Sequence, residues 1–358
     1  MRFLVVFALM LGLAAHHPAR AEPAPAVAFS GSLAGVESWR AYRERFVTPQ
    51  GRVVDTGNGG ISHSEGQGYG MLLAVAADDR ATFERIWTWT RANLMVRDDQ
   101  LLAWRWEPER RPAVADLNNA SDGDLLVAWA LAEAVQAWGE PSHRVAGRRI
   151  AVELGRKQIL PRAAQGPLLL PGLSGFSAED RADGPVVNLS YWVFPAFDRV
   201  AGLAPEFDWA GLGRSGRRLI AAARFGPARL PSDWVSLSSP APRPADGFPA
   251  QFSYNAIRIP LYLAMAGVSE PDLYAPFLAL WDGKAGPALA DIATGAVSDR
   301  LVEPGYAALP ALAACAARGT PFPAALRTPR AEQNYYPLTL HLLALAALRT
   351  RFSACAPR

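Results

Sequence analysis

The sequence is short of the residues that hold metals. It has five histidines and two cysteines in 358 residues. Outside the first twenty residues the histidines are His63, His143 and His341, and no two of them stand at a ligand spacing. Neither Cys315 nor Cys355 has metal-ligand neighbours, so no zinc site, metal or cofactor is expected. Charge of one sign is also lacking as a patch: 36 Lys and Arg face 33 Asp and Glu, scattered along the chain. That disfavours nucleic acid as a partner. After the first fifteen residues no charge-free apolar run is long enough to span a membrane, so no membrane insertion is expected. A serine nucleophile in a Gly-x-Ser-x-Gly elbow between strand and helix is missing too.

What is present begins with an export pattern. Met1-Arg2 supplies a charge, Phe3 to Ala15 an apolar core, and Ala19-Arg20-Ala21 a small-x-small cleavage site. We read residues 1–21 as a signal peptide, 22–30 as a Pro/Ala-containing linker, and 31–358 as one domain, exported to the periplasm or beyond. An uncleaved anchor is the alternative. Cleavage removes Arg2 and Arg20, leaving 34 basic and 33 acidic residues, a formal charge of +1 instead of +3. In an oxidising compartment Cys315 and Cys355 either pair, tying the tail to a late helix, or remain as two thiols.

Apolar residues recur at helical spacing throughout, divided by Gly and Pro. The spacing predicts helices over 35–46, 66–77, 81–94, 123–138, 143–158, 189–201, 210–224, 254–267, 271–282, 304–317 and 334–350. Strand-like alternation is short and rare, so the expected class is all-α. No fixed repeat supports a solenoid, and a closed ring of helical hairpins fits better. Longer loops fall at 95–121, 159–188, 225–253 and 283–303. Such loops in a compact chain commonly carry function.

Four polar helix starts stand out. In Ser62-His63-Ser64-Glu65-Gly66-Gln67-Gly68-Tyr69-Gly70-Met71, Ser64 and Gln67 fit a Ser-x-x-Gln capping box, with Glu65 in the first turn. Asn118-Asn119-Ala120-Ser121-Asp122-Gly123-Asp124 repeats that grammar, with Ser121 or Asp122 as a cap. Asn188-Leu189-Ser190-Tyr191-Trp192 and Phe252-Ser253-Tyr254-Asn255-Ala256-Ile257-Arg258 do so again. Each one alone is explained by capping. Together with eleven tryptophans, Trp104 and Trp106 among them, they suggest one rim of a helical ring around a cleft. Sugar rings stack on aromatic planes and their hydroxyls need Asp, Asn, Arg and Tyr. Paired carboxyls in an exported, metal-free chain point to glycoside hydrolysis.

The motifs Ser64-Glu65-Gly66-Gln67-Gly68-Tyr69-Gly70-Met71 and Ala120-Ser121-Asp122-Gly123-Asp124 resemble those of glycoside hydrolase family 8. The likeness is to the periplasmic endoglucanases that accompany bacterial cellulose synthase, and it runs from Trp39 to the Asn334-Tyr335-Tyr336 helix. It implies an (α/α)6 barrel of six inner and six outer helices, with a cleft across the inner N-terminal ends. It also implies inverting hydrolysis of β-1,4-glucan, with a glucan chain as ligand, the cellulose synthase complex as a candidate partner, and a monomer. Glu65 matches the general acid, and Asp122 the aspartate that grips the distorted sugar. Trp104 matches a stacking platform, while Tyr191, Tyr254 and Arg258 match residues at the cleavage point.

Asn255 departs from the pattern, because many family members carry there the aspartate that serves as general base. An amide cannot take the proton of an attacking water at neutral pH. The substitutes in sequence are Asp246, favoured here, and Asp180 or Asp183. A non-catalytic glucan-binding protein is the rival reading. Chitosan, xylan or mixed-linkage glucan are rival substrates.

Overall fold

The structure, a computed structural model, describes residues 28–282 and 286–356. The expected signal and most of the linker lie outside the described residues, and Phe29 already packs on Trp129. Eleven α-helices follow: α1 (Glu37–Phe46), α2 (Ser64–Ala76), α3 (Arg80–Asn93), α4 (Ser121–Trp138), α5 (Pro141–Lys157) and α6 (Phe194–Leu203). After them come α7 (Trp209–Ala222), α8 (Arg258–Met265), α9 (Pro271–Trp281), α10 (Ala308–Arg318) and α11 (Tyr335–Arg351). Every segment expected from apolar spacing contains a helix, although 254–257 is turn and α8 begins only at Arg258. Two of them open with a 3₁₀ turn instead, Leu189–Tyr191 before α6 and Pro304–Ala307 before α10.

Helices α2, α4, α6, α8, α10 and α11 pack each against the next and close on themselves. Helices α1, α3, α5, α7 and α9 lie in the outer gaps between them. The irregular segment 319–334, with a 3₁₀ turn at Ala324–Leu326, takes the sixth outer place. This is an (α/α)6 barrel.

Sequence explains the two layers. Helices α2, α4, α8 and α11 are buried on nearly all sides, so they read as unbroken apolar runs such as Met71 to Ala76. Outer α7 is striped: Trp209, Leu212, Leu219 and Ile220 face inward while Arg214 and Arg218 are exposed. Two glycines let α2 and α4 meet. A side-chain carbon on Gly68 would press into Leu126, and one on Gly123 would overlap Ser64 and the Glu65 nitrogen.

The connections are unequal. An inner helix passes to the next outer one in a few residues, as at 77–79 and 139–140, whereas outer-to-inner loops run over 94–120, 158–193, 223–257 and 282–307. All the long loops therefore gather where the inner helices begin. Small antiparallel sheets stitch them, Ser62–His63 to Arg105–Trp106 and Val186–Val187 to Val235–Ser236 among them.

Buried Asp124 pins the first long loop onto α4. It accepts the Leu102 N–H at 2.9 Å and the Asn119 side-chain N–H at 2.7 Å. Burial nonetheless pushes its carboxyl up to about 7. The unfolded chain releases that proton near pH 4, so Asp124 stabilises the fold fully below that value and loses the contribution as pH rises through 7. The urea midpoint should therefore fall between pH 5 and pH 8, and fall less in Asp124→Asn; parallel curves for the two proteins would contradict this. Cys315 and Cys355 form a disulfide, 40 residues apart, that ties the tail to α10. Reducing it should lower stability by about 3–4 kcal/mol, the scale set by loop closure, as read from urea unfolding with and without reductant.

Candidate active site

The long loops and the inner N-terminal ends enclose a cleft of about 680 Å³. Glu65, Trp104, Asp122, Tyr191, Tyr254, Asn255 and Arg258, all singled out from sequence, line it together. They come from α2, α4, α8 and three loops, so the barrel brings together what the chain separates by almost two hundred residues.

Arg258 lies at the centre, on the first turn of α8, and its side chain is only 2% exposed. Nη1 donates to Glu65 Oε2 and, at 3.0 Å, to Asp122 Oδ2. Nη2 donates to Ser190 Oγ at 3.0 Å and to Asn255 Oδ1 at 2.9 Å, and Nε to the Asn255 carbonyl at 3.3 Å. The Tyr191 ring lies 5.6 Å from the guanidinium carbon. A buried cation costs heavily unless paired in this way.

Asp122 is buried and accepts the N–H of Gly123 at 2.8 Å. Burial first, then the charge of Glu65 and a hydrogen bond with it, push its carboxyl up to about 7 against the pull of Arg258. Glu65 and Asp122 thus face each other over one guanidinium, and Asp122 keeps a proton to near neutrality.

Local structure differs from the expected capping. His63 caps α2, its Nδ1 accepting the Gly66 N–H at 2.9 Å. Ser64 is already inside the helix, with its hydroxyl buried and without a hydrogen-bond partner. Gln67 turns the other way, accepting the Val53 N–H at 2.6 Å and donating to Thr90 Oγ1 at 2.8 Å. On α4 the first residue outside the helix is Ala120, with no side-chain cap. Asn255 lies in a turn three residues before α8 instead of at its start.

The acids proposed in place of the missing base lie elsewhere. Asp246 is exposed and held by Arg243 through two bonds of 2.7 and 2.8 Å. Asp180 accepts N–H groups of Gly175, Phe176 and Ser177 and so folds its own loop. Asp183 pairs with Arg181 at 2.8 Å and accepts the Asp246 N–H. None of the three lines the cleft, since each is spent on shaping loops.

The cleft contains two carboxylates that sequence reasoning missed, Asp55 and Glu303. Asp55 Oδ2 lies 3.3 Å from His63 Nε2. Glu303 accepts the N–H of Asn334 at 2.6 Å and its side-chain N–H at 3.1 Å, and its charge adds to burial and to that of Asp299 in raising the Tyr254 hydroxyl. Both sit in loops without a motif. A third, Asp233, is buried behind Asn255: it accepts the N–H groups of Ser253 and Ala256 at 2.9 and 3.0 Å, and burial raises its carboxyl against the pull of those groups, Arg258 and the Asn255 side chain. Seven of the eleven tryptophans are buried in the core, and Trp104 lines the cleft, its Nε1 donating to Asp116 at 2.8 Å.

The chain shares this architecture with known proteins. A probable endoglucanase of Novacetimonas hansenii is 38% identical over 91% of this chain and 92% of the relative. The solved endo-β-1,4-glucanase CMCax of Acetobacter xylinum superposes with a TM-score of 0.79 at 36% identity, covering 90% and 99% of the two chains. Endoglucanase Cel10 of Klebsiella pneumoniae gives 0.78 at 34%, covering 87% and 98%. The family model for glycosyl hydrolases family 8 matches residues 23–349, nearly the whole barrel with every cleft residue named above, and the chain belongs to that family.

Proposed function

We propose that this glycoside hydrolase is an inverting endo-β-1,4-glucanase acting on cellulose-type glucan. The observation that carries the proposal is the Glu65–Arg258–Asp122 cluster, with Arg258 and Asp122 buried and Glu65 reaching into an open, aromatic-lined cleft. A glucan chain lies across it, stacked on Trp104 and on the half-exposed Tyr254. Glu65 gives its proton to the glycosidic oxygen as the C–O bond breaks, while Asp122 and Arg258 hold the acid in place and grip the sugar. Water attacks the anomeric carbon from the other face, and its proton passes to a carboxylate there. We assign that role to Glu303, which lines the cleft with Tyr254 and Asn255, whereas Asp55 is engaged by His63, two residues from the acid. The Cys315–Cys355 disulfide supports export, with the signal cut after Ala21, because such bonds persist in oxidising compartments. By its resemblance the enzyme works as a monomer beside cellulose synthesis.

The second reading is a protein that binds glucan without cutting it, and Asn255 favours it. Reducing-end assays separate the two, because a binder retains oligosaccharides at full length. A panel with chitosan, xylan and mixed-linkage glucan fixes the substrate. On carboxymethylcellulose, Glu65→Gln and Glu303→Gln should each lose about 10²–10⁴-fold in rate with the fold intact, the usual worth of a general acid or base. Asp246→Asn should stay near the parent. Near-normal activity in Glu65→Gln would sink the assignment, and near-normal activity in Glu303→Gln would return the search for a base to Asp55. The rate should also decline as pH rises above neutrality, where the coupled Glu65–Asp122 pair loses its proton.

A further inference from the structure

His63 has no part in the chemistry above, yet it stands two residues before Glu65 and lines the cleft. Both of its ring nitrogens are engaged. Nδ1 accepts the Gly66 N–H at 2.9 Å, one of the backbone donors left open by the first turn of α2. An accepting nitrogen carries no hydrogen, so in the neutral ring the proton sits on Nε2, which faces Asp55 Oδ2 at 3.3 Å. Gly66 admits this contact because a side-chain carbon there would meet the His63 ring and the Tyr335 hydroxyl. We propose that His63 is a positioning residue for the general acid: its bare Nδ1 caps the helix that carries Glu65, and Asp55 fixes the tautomer that leaves it bare. The proposal rests on the role given to Glu65 above.

Protonation would undo the cap. A hydrogen on Nδ1 would point at the Gly66 N–H, donor against donor, and the first turn of α2 would lose its tether. The groups facing the ring are Asp55, Glu65, Asp122 and the Tyr335 ring, with Arg105 opposite on the paired strand and itself held by Glu107 at 3.3 Å. Burial opposes a charge on the imidazole, but the hydrogen bond to Asp55 and the charges of Glu65 and Asp122 outweigh it and draw its titration upward. The Gly66 N–H resists them. Lowering the pH therefore trades the cap for an ion pair with Asp55, and the alignment of Glu65 is lost as His63 gains its proton.

The test is ¹⁵N NMR of the imidazole, assigned by difference with His63→Asn, together with kinetics of His63→Ala and His63→Asn. At pH 8 the expected state is Nε2–H with Nδ1 bare. His63→Ala should lower kcat about five- to tenfold, the order of a lost cap, with KM within about twofold. His63→Asn, a short acceptor that caps without titrating, should recover most of kcat and keep it to lower pH than the parent. Asp55→Asn should lower the pH at which His63 titrates. A proton on Nδ1 at a pH where the enzyme is active, or a His63→Ala variant with the parent's kcat and pH profile, overturns the proposal. If the parent cleaves no glucan, that counts against the proposed function. The tautomer, and a melting temperature lowered in His63→Ala but kept in His63→Asn, then decide the role of His63 alone.

Discussion

One buried guanidinium holds the catalytic end of the barrel together. Arg258 joins α8 to α2 through Glu65, to α4 through Asp122, and to the turn before α6 through Ser190. Four of the six inner elements therefore meet at one cation. With Glu65 and Asp122 both charged, the cluster would carry a net negative charge away from water. A proton on Asp122 brings it to neutrality, and the upward shift of that carboxyl is the same fact seen as an energy. Chemistry and stability are thereby joined. In the proposed mechanism the same pair holds the proton that Glu65 gives to the leaving group, so a change in either carboxyl disturbs the other through Arg258.

The barrel makes such a cluster available because its connections are unequal. Short turns at one end leave the inner helices no freedom to slide, and long loops at the other end close over their N-termini. Those N-termini present unpaired backbone N–H groups and a positive end to the cleft. Acids therefore gather there for two reasons, to satisfy the helix and to do chemistry. His63 and Asp233 serve the first task; in the proposed mechanism Glu65 and Asp122 serve the second, Glu303 serves both, and Arg258 ties Glu65 to Asp122.

This double use explains what was legible in the sequence. The helices were, because apolar spacing over ten or more residues is set by burial, and the inner-outer alternation appears as unbroken runs against striped ones. Glu65, Asp122 and Arg258 were legible because they sit inside short motifs at helix starts. The cap at His63 was not. Ser64 with Gln67 satisfies the capping pattern, but burial of α2 on all sides turned Gln67 toward Val53 and Thr90 and left the cap to its neighbour. Asp246, Asp180 and Asp183 misled for a related reason: a loop acid before a site looks the same in sequence whether it faces the cleft or ties its own loop to an arginine. Asp55 and Glu303 carry no motif, and only the folding of distant loops brings them to the cleft.

Asn255 is intelligible once its neighbours are in place. Its amide oxygen accepts from Arg258 as a carboxylate oxygen would, so the cation keeps its partner. Its amide nitrogen is a donor, and the Asp233 carboxylate buried behind it is an acceptor whose charged form the Asn255 side chain favours. An aspartate at 255 would set two carboxylates against each other, beside Glu65 and Asp122, with one guanidinium to offset all four. An amide fits a position with a cation on one side and a carboxylate on the other. The substitution that removes the usual base is therefore matched to a carboxylate one layer deeper. In the proposed mechanism the demand for a base then passes to Glu303, another acid lining the cleft.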